Sequence, residues 1–131
     1  RSLEVAQRLA NADPHSPQAQ RVLSISFEKL GNVELNAGNH AAARDLFQRS
    51  FTIKERLANA DPHSALAAFD LCTSHRCLAR VAKAQFDRNS QNRHLDAARS
   101  ILDAMEARDQ YRGYAVFDQA RREVDGELGD A

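Results

Sequence analysis

Apolar residues recur along this chain every three or four positions, the spacing that places them on one face of an α-helix. No stretch alternates apolar and polar residues with a period of two, so strands are not expected. The spacing predicts helices over 2–11, 17–37, 40–59, 64–88, 92–109 and 114–125. The predicted fold class is therefore all-α, in a single domain over residues 1–131.

One apolar stripe on each long helix forms the predicted core. The stripes of the second, third and last helices are Leu23, Phe27, Leu30 and Gly31, then Ala43, Phe47, Phe51 and Leu57, then Tyr114, Phe117, Ala120 and Val124. Gly31 and Ala43 are small, as expected where two helices cross closely. Ser16 before Pro17 predicts a helix start, Gly38 a stop with positive φ, and Asn39 a cap for the next helix.

A nonamer, Arg8–Ser16, returns unchanged as Arg56–Ser64, so the offset between the two copies is 48. A perfect repeat at this distance indicates tandem duplication of a helix pair. The predicted organisation is a half repeat over 2–11, a repeat over 17–60, a degenerate repeat over 64–109 and a C-terminal helix over 114–125. The half repeat lacks its first helix, so the chain is expected to be a piece of a longer array.

The register of the repeat is expected to change inside the second unit. Residues 97–102 resemble residues 42–47 at an offset of 55 rather than 48. Seven extra residues make about two helical turns. The helix over 64–88 is therefore expected to overshoot its neighbour by two turns, before the polar stop at 87–92.

Composition excludes several function classes. The charges balance at 18 basic and 18 acidic residues, and no apolar run is long enough to cross a membrane. Neither nucleic-acid nor membrane binding is expected. Cys72 and Cys77 point apart on one helix, so they are predicted to be free thiols in a reducing, cytoplasmic compartment. With His75 they lack the further ligands or oriented partners of a metal or catalytic site, so no cofactor and no enzyme activity are predicted.

Six residues carry a resemblance to the tetratricopeptide repeat (TPR), in that family's order and spacing: Phe27, Leu30, Gly31, Gly38, Ala43 and Phe47. Glu34 and Ser50 depart from the family pattern, and the second unit has His75 and Ala79 in the aromatic and glycine positions. The longer unit, with its Leu-Ala-Asn-Ala-Asp-Pro ending, looks like the repeats of large bacterial multidomain proteins. The resemblance covers residues 1 to about 110.

The resemblance implies a right-handed superhelix of antiparallel helix pairs, a TPR-like α-solenoid, whose concave groove binds a peptide or protein. In such arrays the groove is lined by the first helix of each pair. The positions matching the groove are Glu28, Asn32, Asn36, Thr73, Arg76, Arg80 and Lys83.

The charge of these positions suggests the ligand. Arg76, Arg80 and Lys83 form a basic strip suited to an acidic peptide or a terminal carboxylate, and Asn32 could bind a peptide backbone. Glu28 stands where the carboxylate clamp of chaperone-binding TPRs has a lysine, so that full pattern is not reproduced. In the alternative interpretation Arg76 pairs with Glu28 on the adjacent helix and the other side chains are a solvated face.

Two further functions stay open at this point. The chain could be a structural spacer or self-association segment, with the groove empty or filled by the C-terminal helix. It could also be a regulatory domain of an enzyme whose catalysis is encoded elsewhere. The position of the last helix separates an open groove from an occupied one.

Overall fold

A computed structural model describes residues 2–111 and 116–129, and those residues form helices and turns without a strand. The helices are α1 (Ser2–Ala12), α2 (Pro17–Asn36), α3 (His40–Ala60), α4 (Ala65–Ala84), α5 (Arg88–Ala107) and α6 (Phe117–Glu127). The all-α prediction is confirmed. The predicted start of the last helix at Tyr114 lies outside the described residues.

The helices pack in adjacent pairs. Each one lies against the next along the chain, and α2 also contacts α4. At the end of α5, Arg108 and Gln110 donate hydrogen bonds to the carbonyls of Pro62 and His63 before α4, at 3.2 and 2.9 Å. The end of α5 therefore lies beside the start of α4, and these two helices run antiparallel.

The duplicated nonamers place the same cap at the start of α2 and α4. Ser16 and Ser64 both have φ −77° and ψ 113°. Their hydroxyl oxygens accept hydrogen bonds from the backbone N–H groups of Ala19 and Ala67, at 3.2 and 3.1 Å. A hydroxyl in this place satisfies one of the N–H groups that a helix start leaves unpaired.

The turns after α2 and α4 also repeat. Gly38 has φ +85°, as predicted, and Phe86, at the equivalent position one repeat later, has φ +59°. The following N–H groups, of Asn39 and Asp87, each donate to the carbonyl five residues back at 2.9 Å. Asn39 takes the N-cap position of α3, as predicted, but its side chain makes no capping hydrogen bond, and its amide donates to the Glu34 carboxylate at 3.4 Å. Asp87 does cap, accepting from the Ser90 N–H at 3.1 Å.

The predicted change of register is wrong. α4 has 20 residues, as α2 has, and ends at Ala84 without overshooting its neighbour. The offset set by the nonamers continues into α5, where Leu95, Ala98 and Leu102 are buried. Their counterparts in α3, Phe47, Ser50 and Lys54, are buried as well. The offset of 55 gave the wrong alignment of α5 because the seven extra residues make about two helical turns. Both alignments therefore place the same residues of α5 on the buried face.

Three buried clusters form the core of the described residues. The first joins α1, α2 and α3 through Ala6, Ala10, Leu23, Phe27 and Ile53. The second joins α3 and α4 through Ala43, Phe47, Cys77, Leu78 and Val81. The third joins α4, α5 and α6 through Cys72, Ala98, Leu102, Met105, Phe117 and Val124. The first and third clusters thus each join three helices, and the second joins α3 of one pair to α4 of the next.

Leu30 does not belong to the core, contrary to prediction. It is 38% exposed, whereas its counterpart Leu78 is 4% exposed. Leu78 is covered by Ala43 and Phe47 in the first half of α3. α1 corresponds only to the second half of α3, with 11 residues against 21. Among the described residues, Leu30 therefore has no cover of the kind that Ala43 and Phe47 give to Leu78.

Candidate interaction surface

Three helices that stand one repeat apart carry a continuous polar surface. Arg80 on α4 donates from Nη2 to Oδ1 of Asn32 on α2, at 2.9 Å. Arg76 on α4 forms an ion pair with Glu123 on α6. We call this surface the polar strip and define it as Asn32, Thr73, Arg76, Arg80, Lys83, Glu123 and Glu127. It brings together five of the seven residues predicted to bind a partner.

α6 lies beside the α4–α5 pair and leaves part of the polar strip open. Its buried face, Phe117 and Val124, packs on Cys72, Leu102 and Met105. Between α4 and α6 remains an open depression of about 360 Å³, lined by Thr73, Arg76, Cys77, Arg80, Glu123 and Glu127. The last helix therefore borders the surface, and contacts it through its carboxylates rather than its apolar side chains.

Arg76 is the most enclosed cation of the polar strip, with 26% of its side chain exposed. Its Nε is buried without a hydrogen-bond partner among the described residues. Its guanidinium lowers the pKa of the Glu123 carboxyl. The interpretation that Arg76 pairs with Glu28 is wrong: the carboxylate at Arg76 comes from α6, one repeat further on.

The Arg80 guanidinium contacts three side chains and remains exposed to solvent. Besides Asn32, it donates to the Cys77 sulfur at 3.2 Å. Its guanidinium carbon lies 6.0 Å from the centroid of the Phe47 ring, within the range of a cation–π interaction. These contacts orient the guanidinium and leave its remaining N–H groups for a ligand.

Glu28 faces the interior rather than the polar strip. Its carboxylate forms an ion pair with Lys54 of α3, a residue only 2% exposed. A buried ammonium requires such a partner. Sequence reasoning missed this pair because Lys54 stands on the buried stripe of α3, where a lysine is not expected.

The three remaining predicted residues differ in position. Thr73 lines the depression, but its hydroxyl donates to the Phe69 carbonyl at 3.1 Å. Lys83 is exposed in the last turn of α4 and borders a second depression, of about 450 Å³. Asn36 is exposed at the end of α2, outside both depressions.

Phe86 is a candidate that the sequence analysis did not identify. The side chain is 96% exposed, beside Lys83 and Arg88 in the second depression. Its positive φ is unusual for a bulky side chain and belongs to the left-handed turn that ends α4. The signal was present in the repeat, because Phe86 is the counterpart of Gly38 in the next unit. An exposed aromatic ring at that turn suits contact with a partner.

The two cysteines near this surface are free and buried. Cys72 donates to the Ala98 carbonyl at 3.7 Å, and burial raises the pKa of its thiol to about 11. Burial also raises the pKa of the Cys77 thiol. In residues 2–111 and 116–129 no group of three or more His, Cys, Asp or Glu side chains could hold a metal ion. No helix among those residues is long and apolar enough to traverse a bilayer.

No protein-family model, curated protein or solved structure matches this chain. Comparison within the molecule is nevertheless informative, because most positions have a counterpart in the neighbouring repeat. The side-chain pairs that join one unit to the next connect residues nearly one repeat length apart. Arg80 contacts Asn32, and Arg21 pairs with Asp70 at 2.6 Å. Arg76 likewise pairs with Glu123 of the following level.

Proposed function

We propose that this chain is a TPR-like superhelix of antiparallel helix pairs that binds a protein or peptide partner along the polar strip. The observation that carries the proposal is the connection of α2, α4 and α6 by Arg80–Asn32 and Arg76–Glu123. Helices one repeat apart thereby present one surface, as in stacked repeats whose corresponding helices line a common face. The helix bounds and caps that recur from one repeat to the next support the same arrangement.

The chemistry of the polar strip supports an acidic ligand. Arg76 already holds a carboxylate, that of Glu123, so the geometry for binding one is present. A ligand carboxylate would replace Glu123, and further acidic groups would meet Arg80 and Lys83. An apolar ligand residue would meet the exposed ring of Phe86. The preferred partner is therefore an acidic segment with an apolar residue, or an acidic C-terminus.

Partner capture from a lysate, with the chain as immobilised bait, tests this function. The Arg76→Glu and Arg80→Glu double variant should lose a partner that the unaltered chain retains, because both guanidinium groups become carboxylates. Arg44→Glu with Arg56→Glu is the matched control, since both arginines are exposed on α3, away from the polar strip. Glu123→Gln should strengthen capture by removing the internal competitor. Retention by the Arg76 and Arg80 variant, at the level of the control, would contradict the proposal.

The alternatives are separated by the same preparation. A self-association segment would give concentration-dependent mass in sedimentation, and a regulatory domain would capture a segment of its own full-length protein. We place the module in the cytoplasm on the basis of its two free, buried cysteines. That placement is tested by fractionating cells that express the full-length protein.

A further inference from the structure

A second open surface lies between α1 and α2, and its lining includes no residue of the polar strip. We call it the α1–α2 cleft; its lining is Val5, Ala6, Leu9, Val22, Ile25, Ser26 and Lys29. The cleft measures about 640 Å³ and is mostly apolar. Val5, Leu9 and Val22 are 50, 54 and 48% exposed. Three neighbouring apolar side chains with this exposure indicate a surface that is normally covered.

The repeat shows what kind of element covers such a surface. The counterpart of Val5 one unit later is Ile53, which is 7% exposed because it packs on Leu23 and Phe27 of α2. The counterparts of Ser26 and Lys29 are Ser74 and Cys77, which are 1 and 3% exposed. The equivalent surface on α3 and α4 is thus covered in part by one helix, α2. The α1–α2 cleft lies between the counterparts of α3 and α4, and no helix of the described residues takes the place of α2 in it.

The ion pairs that α2 forms with α3 and α4 define how an occupant of the cleft must differ from α2. There, Arg21 pairs with Asp70, and Glu28 pairs with Lys54. In the cleft the counterpart of Asp70 is Val22, so an arginine at the Arg21 position would lose its partner. The counterpart of Lys54 is Ala6, but a lysine is still present in the cleft, as Lys29.

Lys29 stands in the place that Cys77 takes one unit later. The Glu28 carboxylate lies close enough to Cys77 to help raise the pKa of that thiol, after burial. Glu28 pairs with Lys54, and the counterpart of Lys54, Ala6, lines the cleft together with Lys29. An acidic residue at the Glu28 position of an occupant would therefore lie near Lys29. Lys29 of α2 is thus the cation that the cleft offers to this acidic residue, whereas Glu28 itself pairs with Lys54 of α3.

We infer that the α1–α2 cleft binds one amphipathic helix of the α2 type from a partner polypeptide. This helix has an apolar residue at the Arg21 position and an acidic residue at the Glu28 position, facing Lys29. The C-terminal helix of a second copy fits poorly, because the exposed face of α6 is polar, with Asp118, Gln119, Arg122 and Glu123. The inference is independent of ligand binding at the polar strip.

A fluorescent peptide with the sequence of residues 16–37 and Arg21→Leu tests the inference by anisotropy against the full chain. The peptide is stapled on its polar face, because an isolated helix of this length is marginal in water. Saturable binding is expected, and Lys29→Glu should weaken it at least about tenfold. A peptide that also carries Glu28→Lys should recover affinity for the Lys29→Glu chain. Lys83→Glu is the control, since it makes the same charge change in the polar strip and should leave binding unaltered.

Two results would overturn the inference. One is the absence of saturable peptide binding by the unaltered chain, although this chain is folded and has the same circular dichroism as the Lys29→Glu chain. The other is a concentration-dependent dimer that Val5→Asp with Leu9→Asp abolishes, which would make a second copy the occupant. Loss of peptide binding on Lys83→Glu would also contradict it, because the peptide would then be on the polar strip.

Discussion

At the residue scale, Gly31 marks a close approach of α2 to α3. A Cβ built at Gly31 would lie 2.5 Å from the Phe47 ring, and that ring is only 1% exposed. The second unit has Ala79 and Leu95 at the corresponding positions, both buried. The two units therefore fill the same crossing in two ways: a glycine under a phenylalanine, or an alanine under a leucine.

This exchange predicts the stability of Gly31→Ala in two backgrounds. In the unaltered chain the substitution should lower the free energy of unfolding by about 1–2 kcal/mol, since overpacking outweighs the gain in helix propensity. With Phe47→Leu already present, the same substitution should be neutral or stabilising, because the ring is gone. Urea denaturation of the four proteins measures both effects. Equal losses in the two backgrounds would show that Phe47 does not restrict Gly31.

At the element scale, α2 and α3 are joined by the buried pair of Glu28 and Lys54. Glu28→Gln should lower the free energy of unfolding by about 3 kcal/mol, because it leaves a buried ammonium without a counter-charge. Lys54→Leu should recover most of this loss in the Glu28→Gln background, since the counterpart of Lys54 is the buried Leu102. Asp45→Asn, which removes the exposed pair with Arg49, serves as the control and should have little effect on urea denaturation.

α4 and α5 are joined by a histidine pair whose charge state depends on pH. The His75 and His94 rings approach to 3.1 Å between their Nδ1 atoms. Burial, and then His94, lower the pKa of His75 from 6.5 to about 4. Burial, and then Arg93 and Arg44, lower the pKa of His94. The folded state thus favours uncharged rings, whereas the unfolded chain takes up protons below pH 6.5.

Stability should therefore decrease as the pH falls from 6.5 towards 4, and be fully present above 6.5. The comparison is cleanest between about pH 7 and pH 5, where most carboxylates remain charged. His75→Gln with His94→Gln should reduce the decrease measured by urea denaturation in this window. His63→Gln, at an exposed position, should not. An unchanged pH profile in the double variant would contradict the role given to this pair.

The elements also show what the sequence could predict. The helix start predicted at Ser16 is confirmed, and Ser64, in the second copy of the nonamer, has the same dihedral angles. The end of α4 was not predicted, because a seven-residue shift preserves the buried face and hides the true register. The partners of Arg76 and Glu28 were not predicted either. Several charged residues lay within reach of each, and only the packing of α3 and α6 selects Lys54 and Glu123.

At the scale of the whole molecule, the two ends of the helix stack differ in character. The α1–α2 cleft exposes apolar side chains, whereas α6 turns a polar face outward and buries Phe117, Ala120 and Val124. A polar face is well solvated without a partner, whereas neighbouring exposed apolar side chains favour burial. This asymmetry favours binding of a partner helix at the α1 end rather than on the outer face of α6.

The nearest-neighbour character of such a stack predicts that α6 can detach by itself. Arg121 ties α6 to α5 through ion pairs with Asp103 and Glu106, at 2.8 and 2.6 Å, and Val124 is fully buried. Val124→Asp should undock α6, because a buried carboxylate there has no partner. Amide exchange should then become fast in residues 117–127 and stay slow in α2, α3 and α4.

Arg122→Asp is the matched control, since it also introduces an aspartate on α6, but on the exposed face. It should leave the exchange pattern unaltered. Undocking also removes Glu123 from Arg76, so Val124→Asp should strengthen capture of an acidic partner on the polar strip, as Glu123→Gln does. Cooperative loss of protection throughout α2 to α5 would show instead that α6 is required for the whole stack. In that case the helix would be part of the folding unit, and not a separable border of the binding surface.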